Sequence, residues 1–226
     1  MEKMKYEMKG AKDRTKAIVY CCGPSVREVD HKIIANYPGM VIAVNWAVKI
    51  GHLIKADYYF GQQGAWILKP EDAPCIVSGD CIPVIGIHKG AGKDYLKTLP
   101  EFLTGSHMAY HLNGKLDTGG FQLERGKLPG YNAGFSAINL ALHLGAKKIA
   151  VLGFDCTHAL DVFDRKYKPS GNDTRPKKAW RQWANELAGK QAKEYWNAEI
   201  INGSMISHCE VWPKMEPNDA IEWSLD

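Results

Sequence analysis

The sequence has no long apolar run and no apolar leader. Its 226 residues include only short hydrophobic stretches, such as Met40–Val44. A helix that crosses a bilayer needs about 20 apolar residues. The first sixteen residues are charged throughout and lack the hydrophobic core of a secretory signal. From these absences we expect a soluble, cytoplasmic protein.

Paired cysteine spacing is also missing. The chain has six cysteines, and none of them forms a Cys-x-x-Cys motif. Without an export signal we expect the thiols to stay reduced and to behave as small, mostly buried side chains. The sequence therefore predicts neither a disulfide framework nor a structural metal site. The cysteines are Cys21, Cys22, Cys75, Cys81, Cys156 and Cys209.

A strong net charge is absent outside the N-terminus. The formal charge is +4, and residues 1–16 contribute six Lys or Arg against three Asp or Glu, a net of +3. The other 210 residues carry a net charge of only +1. A dedicated nucleic-acid-binding protein is expected to be more basic than this. We expect residues 1–16 to form a solvated basic tail or an added edge element.

The common phosphate and hydrolase motifs are missing too. The sequence contains no Gly-x-x-x-x-Gly-Lys-Ser/Thr, and its first predicted strand is not followed by Gly-x-Gly-x-x-Gly. A Gly-x-Ser-x-Gly elbow is also absent. These absences argue against P-loop hydrolysis, an ordinary NAD or FAD dehydrogenase and an α/β-hydrolase.

Short buried apolar runs alternate with helix-period stretches in the first sixty residues. The runs Ala17–Cys22, Met40–Asn45 and Ala56–Phe60 predict strands, with helical segments between them. This order indicates a parallel sheet with crossover helices. We therefore predict one α/β, Rossmann-like domain over residues 17–212, followed by a C-terminal tail over 213–226.

The second half of the chain is less regular in its middle. Residues 113–131, which hold five glycines, are predicted to be a mobile loop, and Cys156–Arg175 to be a polar insertion. Further strands are predicted at Pro74–Ser78, Pro83–Ile87, His107–Leu112, Lys148–Asp155 and Glu199–Asn202, and helices at Gly134–Leu144 and about Pro176–Asn197.

Small and polar residues follow five of the predicted strands. In an open parallel sheet, ligands bind beyond the carboxyl ends of the strands. Glycine lets a ligand approach the backbone, and amides at a helix start can bind an anion. Taken together, these ends predict a nucleotide site rather than five ordinary turns. They are Cys22–Ser25, Asn45–Trp46, Gly61–Gln63, Gly153–Asp155 and Asn202–Ser204.

Four of these segments carry a family resemblance. Ala17–Val26, Val41–Trp46 and Asn202–Ser204 resemble strand ends of the family-42 bacterial sialyltransferases and of the archaeal-type 6-hydroxymethylpterin pyrophosphokinases with their phage relatives. Gly134–Asp155 is similar to the helix-strand block of the same families. Cys21-Cys22 stands where those families place Gly-Asn.

The resemblance implies a set of site residues and a fold. It implies a Rossmann-like transferase in which His158 is the catalytic base, with Asp155 also in the catalytic group. The predicted partners are a nucleotide or nucleotide-sugar and an unknown acceptor, with a homo-oligomer as a further option. The implied nucleotide-binding residues are Gly23, Pro24, Ser25, Asn45, Gly134, Phe135, Ser136, Gly153 and Ser204.

Three functions stay open on the sequence. The first is a sialyltransferase-like glycosyltransferase that uses a nucleotide-sugar donor and no metal or other cofactor. The second is a pyrophosphokinase-like transferase that uses ATP and Mg²⁺, with Asp155, Asp161 or Asp164 holding the metal. The third is a non-catalytic protein that sequesters or senses a nucleotide. Metal dependence separates the first two, and turnover separates both from the third.

Overall fold

The computed structural model describes residues 12–62, 69–88, 99–104, 108–113, 120–130, 132–156, 161–162, 165–166 and 179–226. Ten strands occur in this part of the chain. They are β1 (Asp13–Tyr20), β2 (Gly39–Val44), β3 (Tyr58–Gly61), β4 (Ile82–His88), β5 (Met108–Asn113), β6 (Lys127–Pro129), β7 (Lys148–Leu152), β8 (Asp161–Val162), β9 (Arg165–Lys166) and β10 (Glu199–Gly203).

Eight of the strands form one sheet in which every neighbouring pair is parallel. The strand order is β10-β7-β1-β2-β3-β4-β5-β6. The short β8 and β9 pair separately and antiparallel. An all-parallel sheet of this kind needs crossover connections and cover on both faces. The predicted α/β, Rossmann-like class is confirmed.

Helices of two kinds connect the strands within the described residues. The α-helices are α1 (His31–Ala35), α2 (Pro74–Val77), α3 (Glu101–Thr104), α4 (Ala133–Leu144), α5 (Ala179–Trp196) and α6 (Pro217–Trp223). The 3-10 helices are Pro24–Glu28, Asn45–Ile50 and Pro70–Asp72. Among these residues no helix combines the length and the apolar character that crossing a membrane requires.

The two faces of the sheet bury alternating side chains of the same strands. Val19 of β1 belongs to the cluster that contains Phe135 and Ile138 of α4. Its neighbour Ile18 belongs to the opposite cluster, which contains Ile221 of α6. Because successive side chains of a strand point to opposite faces, a strand buried on both faces reads as a continuous apolar run. This explains why β1 and β2 can be predicted from the sequence.

The direction of strand addition reverses beside β1. From β1 to β6 each new strand adds on one side, and the chain then returns to place β7 on the other side of β1. The carboxyl ends of β1, β2 and β7 therefore surround a topological switch point. In open α/β sheets this is the place where ligands bind.

Two predicted segments differ from the structure. Pro74–Ser78, predicted as a strand, contains α2 instead, because Pro74 starts a helical turn that buries Cys75 and Ile76. The predicted loop over 113–131 contains β6, and both Phe121 and Leu128 are buried in the core. The glycine content predicts mobility, whereas burial of these two apolar side chains anchors the described residues 120–130.

The chain ends are also more ordered than predicted. β1 begins at Asp13 rather than Ala17, and Lys12 forms an ion pair with Asp57 at 2.8 Å. Residues 213–226 are not a free tail, because α6 packs on β7 and β10 with Pro217, Ala220 and Ile221 buried. These three apolar positions have the spacing of one helix face. The segment is short and its other residues are polar, so the pattern is too weak to predict a helix.

Candidate functional site

A cleft of about 300 Å³ lies at the switch point of the sheet. The loops after β1, β2 and β7 form its floor and walls, and the N-terminus of α4 closes one side. The lining residues are Cys21, Cys22, Val44, Asn45, Asn132, Ala133, Gly134, Gly153, Phe154, Asp155 and Cys156. The structure thus brings together three of the five strand ends that the sequence singled out.

The Asp155 carboxylate ties two other loops to the end of β7. Its Oδ2 accepts a hydrogen bond from the Ser25 backbone N–H at 3.0 Å. Its Oδ1 accepts from Ser25 Oγ at 2.5 Å and from Ser204 Oγ at 2.6 Å. The Asp155 backbone carbonyl also accepts from the His208 N–H at 2.8 Å. With Asp155 only 3% exposed, this network fixes the cleft wall.

The Ser25 backbone amide, at the start of the first 3-10 helix, already donates a hydrogen bond within the protein. The sequence suggested that amides after Gly23 would bind a ligand anion, but Pro24 has no N–H and the Ser25 N–H donates to Asp155. The Asp155 carboxylate therefore occupies the anion position of this turn. The Ser25 N–H is therefore not available to a ligand anion in this structure.

Gly23 is required by packing inside the protein. A Cβ atom added to Gly23 would lie within 3.0 Å of both the Asp155 carboxylate and the Gly153 carbonyl oxygen. The Gly23 N–H also donates to that carbonyl at 2.9 Å. The close approach that the sequence predicted for a ligand at Gly23 is made by Asp155, and contact between Gly23 and a ligand stays a prediction.

The N-terminus of α4 faces the cleft with two unused amides. Asn132 is the N-cap, and its Oδ1 accepts from the Phe135 N–H at 3.0 Å. Among the described residues, the backbone N–H groups of Ala133 and Gly134 have no hydrogen-bond partner. A Cβ on Gly134 would lie 2.8 Å from Cys21 Sγ and from the Phe154 ring. Glycine thus lets α4 approach the end of β1 closely.

Left-handed backbone conformations cluster on the cleft rim. Asn45 has φ of +49°, Gly153 +68° and Cys156 +50°. Asn tolerates this region better than most residues, whereas Cys does so at a cost of about 1–3 kcal/mol. Asn45 Oδ1 accepts from the Gln62 N–H at 3.4 Å. The Asn45 amide Nδ2 has no partner in the part of the chain that the structure describes.

Cys21 and Cys22, which follow β1, both line the cleft. Burial raises the pKa of the Cys21 thiol well above its ordinary value, and nearby Cys22, Cys156 and Asp155 raise it further. The Cys22 thiol donates to the Val44 carbonyl at 3.0 Å. The end of β1 thus carries two sulfur-containing side chains where the sequence resemblance implies Gly-Asn.

Several predicted site residues lie outside the cleft lining. The Phe135 ring is buried and stacks on Phe121 at 4.7 Å between ring centroids. Ser136 is buried, and its hydroxyl donates to the carbonyl groups of Pro129 and Asn132. Apolar and hydrogen-bonded neighbours enclose both side chains, and a nucleotide contact from Phe135 or Ser136 stays a prediction.

Ser204 and Pro24 are not among the residues that line the cleft. Ser204 is fully buried and donates to the lining residue Asp155, while Pro24 starts the first 3-10 helix. His158 lies outside the described residues, so its role stays a prediction. Asp155 lines the cleft and its oxygens accept hydrogen bonds from Ser25 and Ser204, while its predicted catalytic role stays a prediction.

Sequence reasoning missed some lining residues. Asn132 precedes an apolar helical run and has the N-cap signature, so a closer look at the start of α4 could have identified it. Nothing in the sequence marks Cys156, whose left-handed backbone depends on the fold. Among the described residues no group of three or more His, Cys, Asp or Glu side chains is placed to hold a metal ion.

Comparisons with known proteins give a likeness of fold. No protein-family model and no curated protein sequence matches the chain. The monofunctional α-2,3-sialyltransferase Cst-I from Campylobacter jejuni is similar with a TM-score of 0.52 and 15% identity, over 91% of this chain and 81% of its own. An apo-form α-2,3-sialyltransferase from the same organism is similar with a TM-score of 0.50 and 12% identity, over the same shares.

This likeness confirms that the chain has a sialyltransferase-like fold. At 15% and 12% identity it speaks for the fold alone. The resemblance to pyrophosphokinases and to phage proteins stays a prediction.

Proposed function

We propose that the protein is a nucleotide-dependent transferase, and specifically a sialyltransferase-like glycosyltransferase that uses a nucleotide-sugar donor. The observation that carries the proposal is the cleft at the switch point. It combines the two unused amides of α4 with the free amide group of Asn45. The sialyltransferase-like fold supports the choice of glycosyl transfer among nucleotide chemistries.

The donor phosphate binds at the N-terminus of α4 in this proposal. The amides of Ala133 and Gly134 point out of a twelve-residue helix, whose dipole adds partial positive charge at this end. Asp155 already fills the corresponding position after β1. We therefore propose the anion site at the N-terminus of α4 and not in the loop after β1, where the sequence predicts it.

The nucleoside binds across the ends of β1 and β2. Asn45 offers both a donor and an acceptor beside the cleft, which suits the edge of a base or a ribose hydroxyl. Its carbonyl oxygen is held by Gln62, so the Nδ2 group is the part free to contact a ligand. Cys22 and Phe154 supply the less polar surface against which a base packs.

The proposed reaction exchanges one C–O bond for another. The bond between the donor sugar and the nucleotide phosphate breaks, and its electron pair leaves on the phosphate oxygen. A new C–O bond forms to the acceptor hydroxyl, whose proton passes to a general base. We propose His158 as that base, since a neutral imidazole accepts a proton near pH 7. The amides of α4 stabilise the negative charge on the departing phosphate.

Donor consumption tests the proposal. The protein is incubated with CMP-, UDP- and GDP-linked sugars and with ATP, each with and without Mg²⁺, and released nucleotide is measured by chromatography. We expect release from at least one nucleotide-sugar without Mg²⁺. His158→Ala should lower this rate by about 10²–10⁴-fold. Replacement of the exposed His52 by Ala is the matched control and should leave the rate unchanged.

Two results would overturn the proposal and point to the other functions. Consumption of ATP only, and only with Mg²⁺, would indicate the pyrophosphokinase-like transferase. Nucleotide binding without turnover of any donor would indicate a sequestering or sensing protein. A fully active His158→Ala variant would remove this histidine from the mechanism.

A further inference from the structure

A second pair of cysteines lies apart from the cleft, between α2 and β4. Cys75 is in α2, and Cys81 directly precedes β4. Both are buried. The backbone N–H groups of Asp80 and Cys81 both donate to the Cys75 carbonyl oxygen at 2.9 Å. Gly79, with φ of +74°, turns the chain between them. The backbone alone therefore holds the two cysteines side by side.

The two thiols differ in acidity. The neighbouring Cys81 thiol is the main reason why the pKa of Cys75 lies below its ordinary value. Burial raises the pKa of Cys81 well above its ordinary value. Cys75 is therefore the more acidic thiol of the pair, and Cys81 is the less acidic one. Burial raises the pKa of Cys21 and of Cys209, so neither of them shares this property.

We propose that Cys75 and Cys81 are an oxidation site, at which a small disulfide such as oxidised glutathione forms an intramolecular Cys75–Cys81 disulfide. A nucleophilic thiol next to a second thiol that resolves the adduct is the arrangement of redox-sensitive cysteine pairs. The site belongs to the 74–81 turn and does not depend on nucleotide binding at the cleft.

The reaction has two exchange steps. The Cys75 thiolate attacks one sulfur of oxidised glutathione, a mixed disulfide forms, and one glutathione thiolate leaves. That thiolate accepts the Cys81 proton, and the Cys81 sulfur then attacks the Cys75 sulfur and releases the second glutathione. In total, two protein thiols lose two electrons and two protons, and one oxidised glutathione becomes two reduced molecules.

Packing around Cys75 favours the intramolecular product over the mixed disulfide. Cys75 Sγ lies 3.9 Å from the Val48 carbonyl oxygen, and a Cβ added to Gly51 would be 2.6 Å from the same sulfur. A glutathionyl group has no room there in the folded chain. Because the backbone already holds Cys81 beside Cys75, closing the disulfide needs only a small movement, and the adduct resolves to it.

The turn also explains how an oxidant reaches a buried thiol. Val77 in the same turn is 54% exposed, and Ser78 to Asp80 are exposed as well. Local opening of this short turn exposes Cys75 without unfolding of the sheet. The rate of oxidation is therefore expected to rise in urea concentrations that leave the sheet folded.

Mass spectrometry of the oxidised protein tests the site. The full chain is treated with oxidised glutathione at pH 8, quenched with acid, alkylated and digested without reduction. We expect a Cys75–Cys81 disulfide as the dominant product, lighter than the dithiol by two hydrogen atoms. Cys75→Ser and Cys81→Ser should abolish this product. Cys209→Ser, which removes another buried thiol, should leave its yield unchanged.

Two results would overturn the proposal. One is recovery of Cys75 and Cys81 as alkylated thiols after oxidation of other cysteines is complete. The other is the same mixture of disulfides from folded and guanidinium-unfolded protein, since the proposal rests on native proximity. Because both measurements use the wild-type chain, they decide the question even if a serine variant fails to fold.

Discussion

The Asp155 carboxylate holds together the loops after β1, β7 and β10. It is buried and accepts three hydrogen bonds, two from Ser25 and one from Ser204. A buried carboxylate that loses a donor keeps its desolvation cost but not the bond that offsets it. Through this network the shape of the cleft depends on Ser204, a residue that does not line it.

We predict that Ser204→Ala lowers the free energy of unfolding by about 1–3 kcal/mol, because it leaves Asp155 with one donor fewer. Urea unfolding followed by circular dichroism measures the change. Ser78→Ala is the matched control, since Ser78 donates to Asp80 over the same 2.6 Å in an exposed turn, and its cost should stay below about 0.5 kcal/mol. Equal costs for the two variants would contradict the importance of the buried network.

His143 links the stability of α4 to pH. Its Nε2 is 2.8 Å from the Gln122 carbonyl oxygen, and its ring lies 5.8 Å from the Trp196 ring. Nδ1 is buried and has no hydrogen-bond partner among the described residues. Burial lowers the pKa of His143 below 6.5, and Arg125 lowers it further. Protonation would place an N–H on Nδ1 with no acceptor.

We predict that the free energy of unfolding falls as the pH drops below about 6.5, the pKa of an unfolded histidine. The folded pKa of His143 is lower, so in this range the unfolded chain binds more protons than the folded one, and acid favours unfolding. His143→Gln keeps a donor toward Gln122 but does not titrate. Urea unfolding at pH 5 and 7.5 should show a smaller pH dependence for the variant, whereas parallel profiles would exclude His143 as a cause.

At the residue scale, the sequence could identify candidates but not their partners. Gly23, Asn45 and Asp155 were recognised because they follow buried strands. Their roles depend on contacts between distant segments, such as Ser25 with Asp155, which are 130 residues apart. No local pattern encodes such a pair, so the sequence alone does not show that the Asp155 carboxylate fills the space beside Gly23.

At the scale of elements, α4 joins the core to the cleft. Residues 134–142 are all buried, as the apolar character of both helix faces predicted. Asn139 accepts from the Gln122 N–H at 2.8 Å, and Gln191 of α5 accepts from the Phe121 N–H at 2.6 Å. These side-chain amides fix the segment before β6, which in turn leads to the N-cap of α4.

We predict that Asn132→Ala has two separable effects. Loss of the N-cap should lower the free energy of unfolding by about 1 kcal/mol. Nucleotide affinity should fall as well, because the cap orients the amides that bind the phosphate. Asp30→Ala is the matched control, since Asp30 caps α1 by accepting from Lys32 N–H but lies away from the cleft. Calorimetric titration should show a weaker affinity for Asn132→Ala only.

Strands and helices can be predicted from the sequence where a single hydrophobic pattern dominates the segment. The β-branched runs of β1, β2 and β7 and the apolar helix α4 were found within a few residues of their observed bounds. α2 and β6 were not, because they are only four and three residues long and their flanking Pro and Gly dominate the pattern. In such short segments tertiary packing decides the conformation.

At the scale of the whole molecule, the strand order creates the site. Alternation of strands and helices predicted a parallel sheet, but not that β7 would return beside β1. That return places the end of β7 and the start of α4 on either side of the end of β1. The order of the strands along the chain can be predicted from the sequence. Their order in the sheet depends on how the long connections pack, which no local pattern encodes.

The central claim is that this cleft binds a nucleotide through Asn45 and α4. Thermal unfolding of the wild-type chain is measured with CMP, UMP, GMP, AMP and ATP, with and without Mg²⁺. A nucleotide at about 100 times its dissociation constant should stabilise the fold by roughly 2.7 kcal/mol and raise Tm by about 5–10 °C.

Two Asn→Asp variants make this measurement specific for the cleft. Asn45→Asp keeps the acceptor for Gln62 but removes the free donor and adds negative charge, so it should weaken affinity by about tenfold or more at an unchanged ligand-free Tm. The exposed Asn36, away from the cleft, provides the control, and Asn36→Asp should bind as wild type does. The account predicts a Tm shift for wild type and Asn36→Asp and a reduced shift for Asn45→Asp. No shift with any nucleotide, or equal shifts in all three proteins, would contradict it.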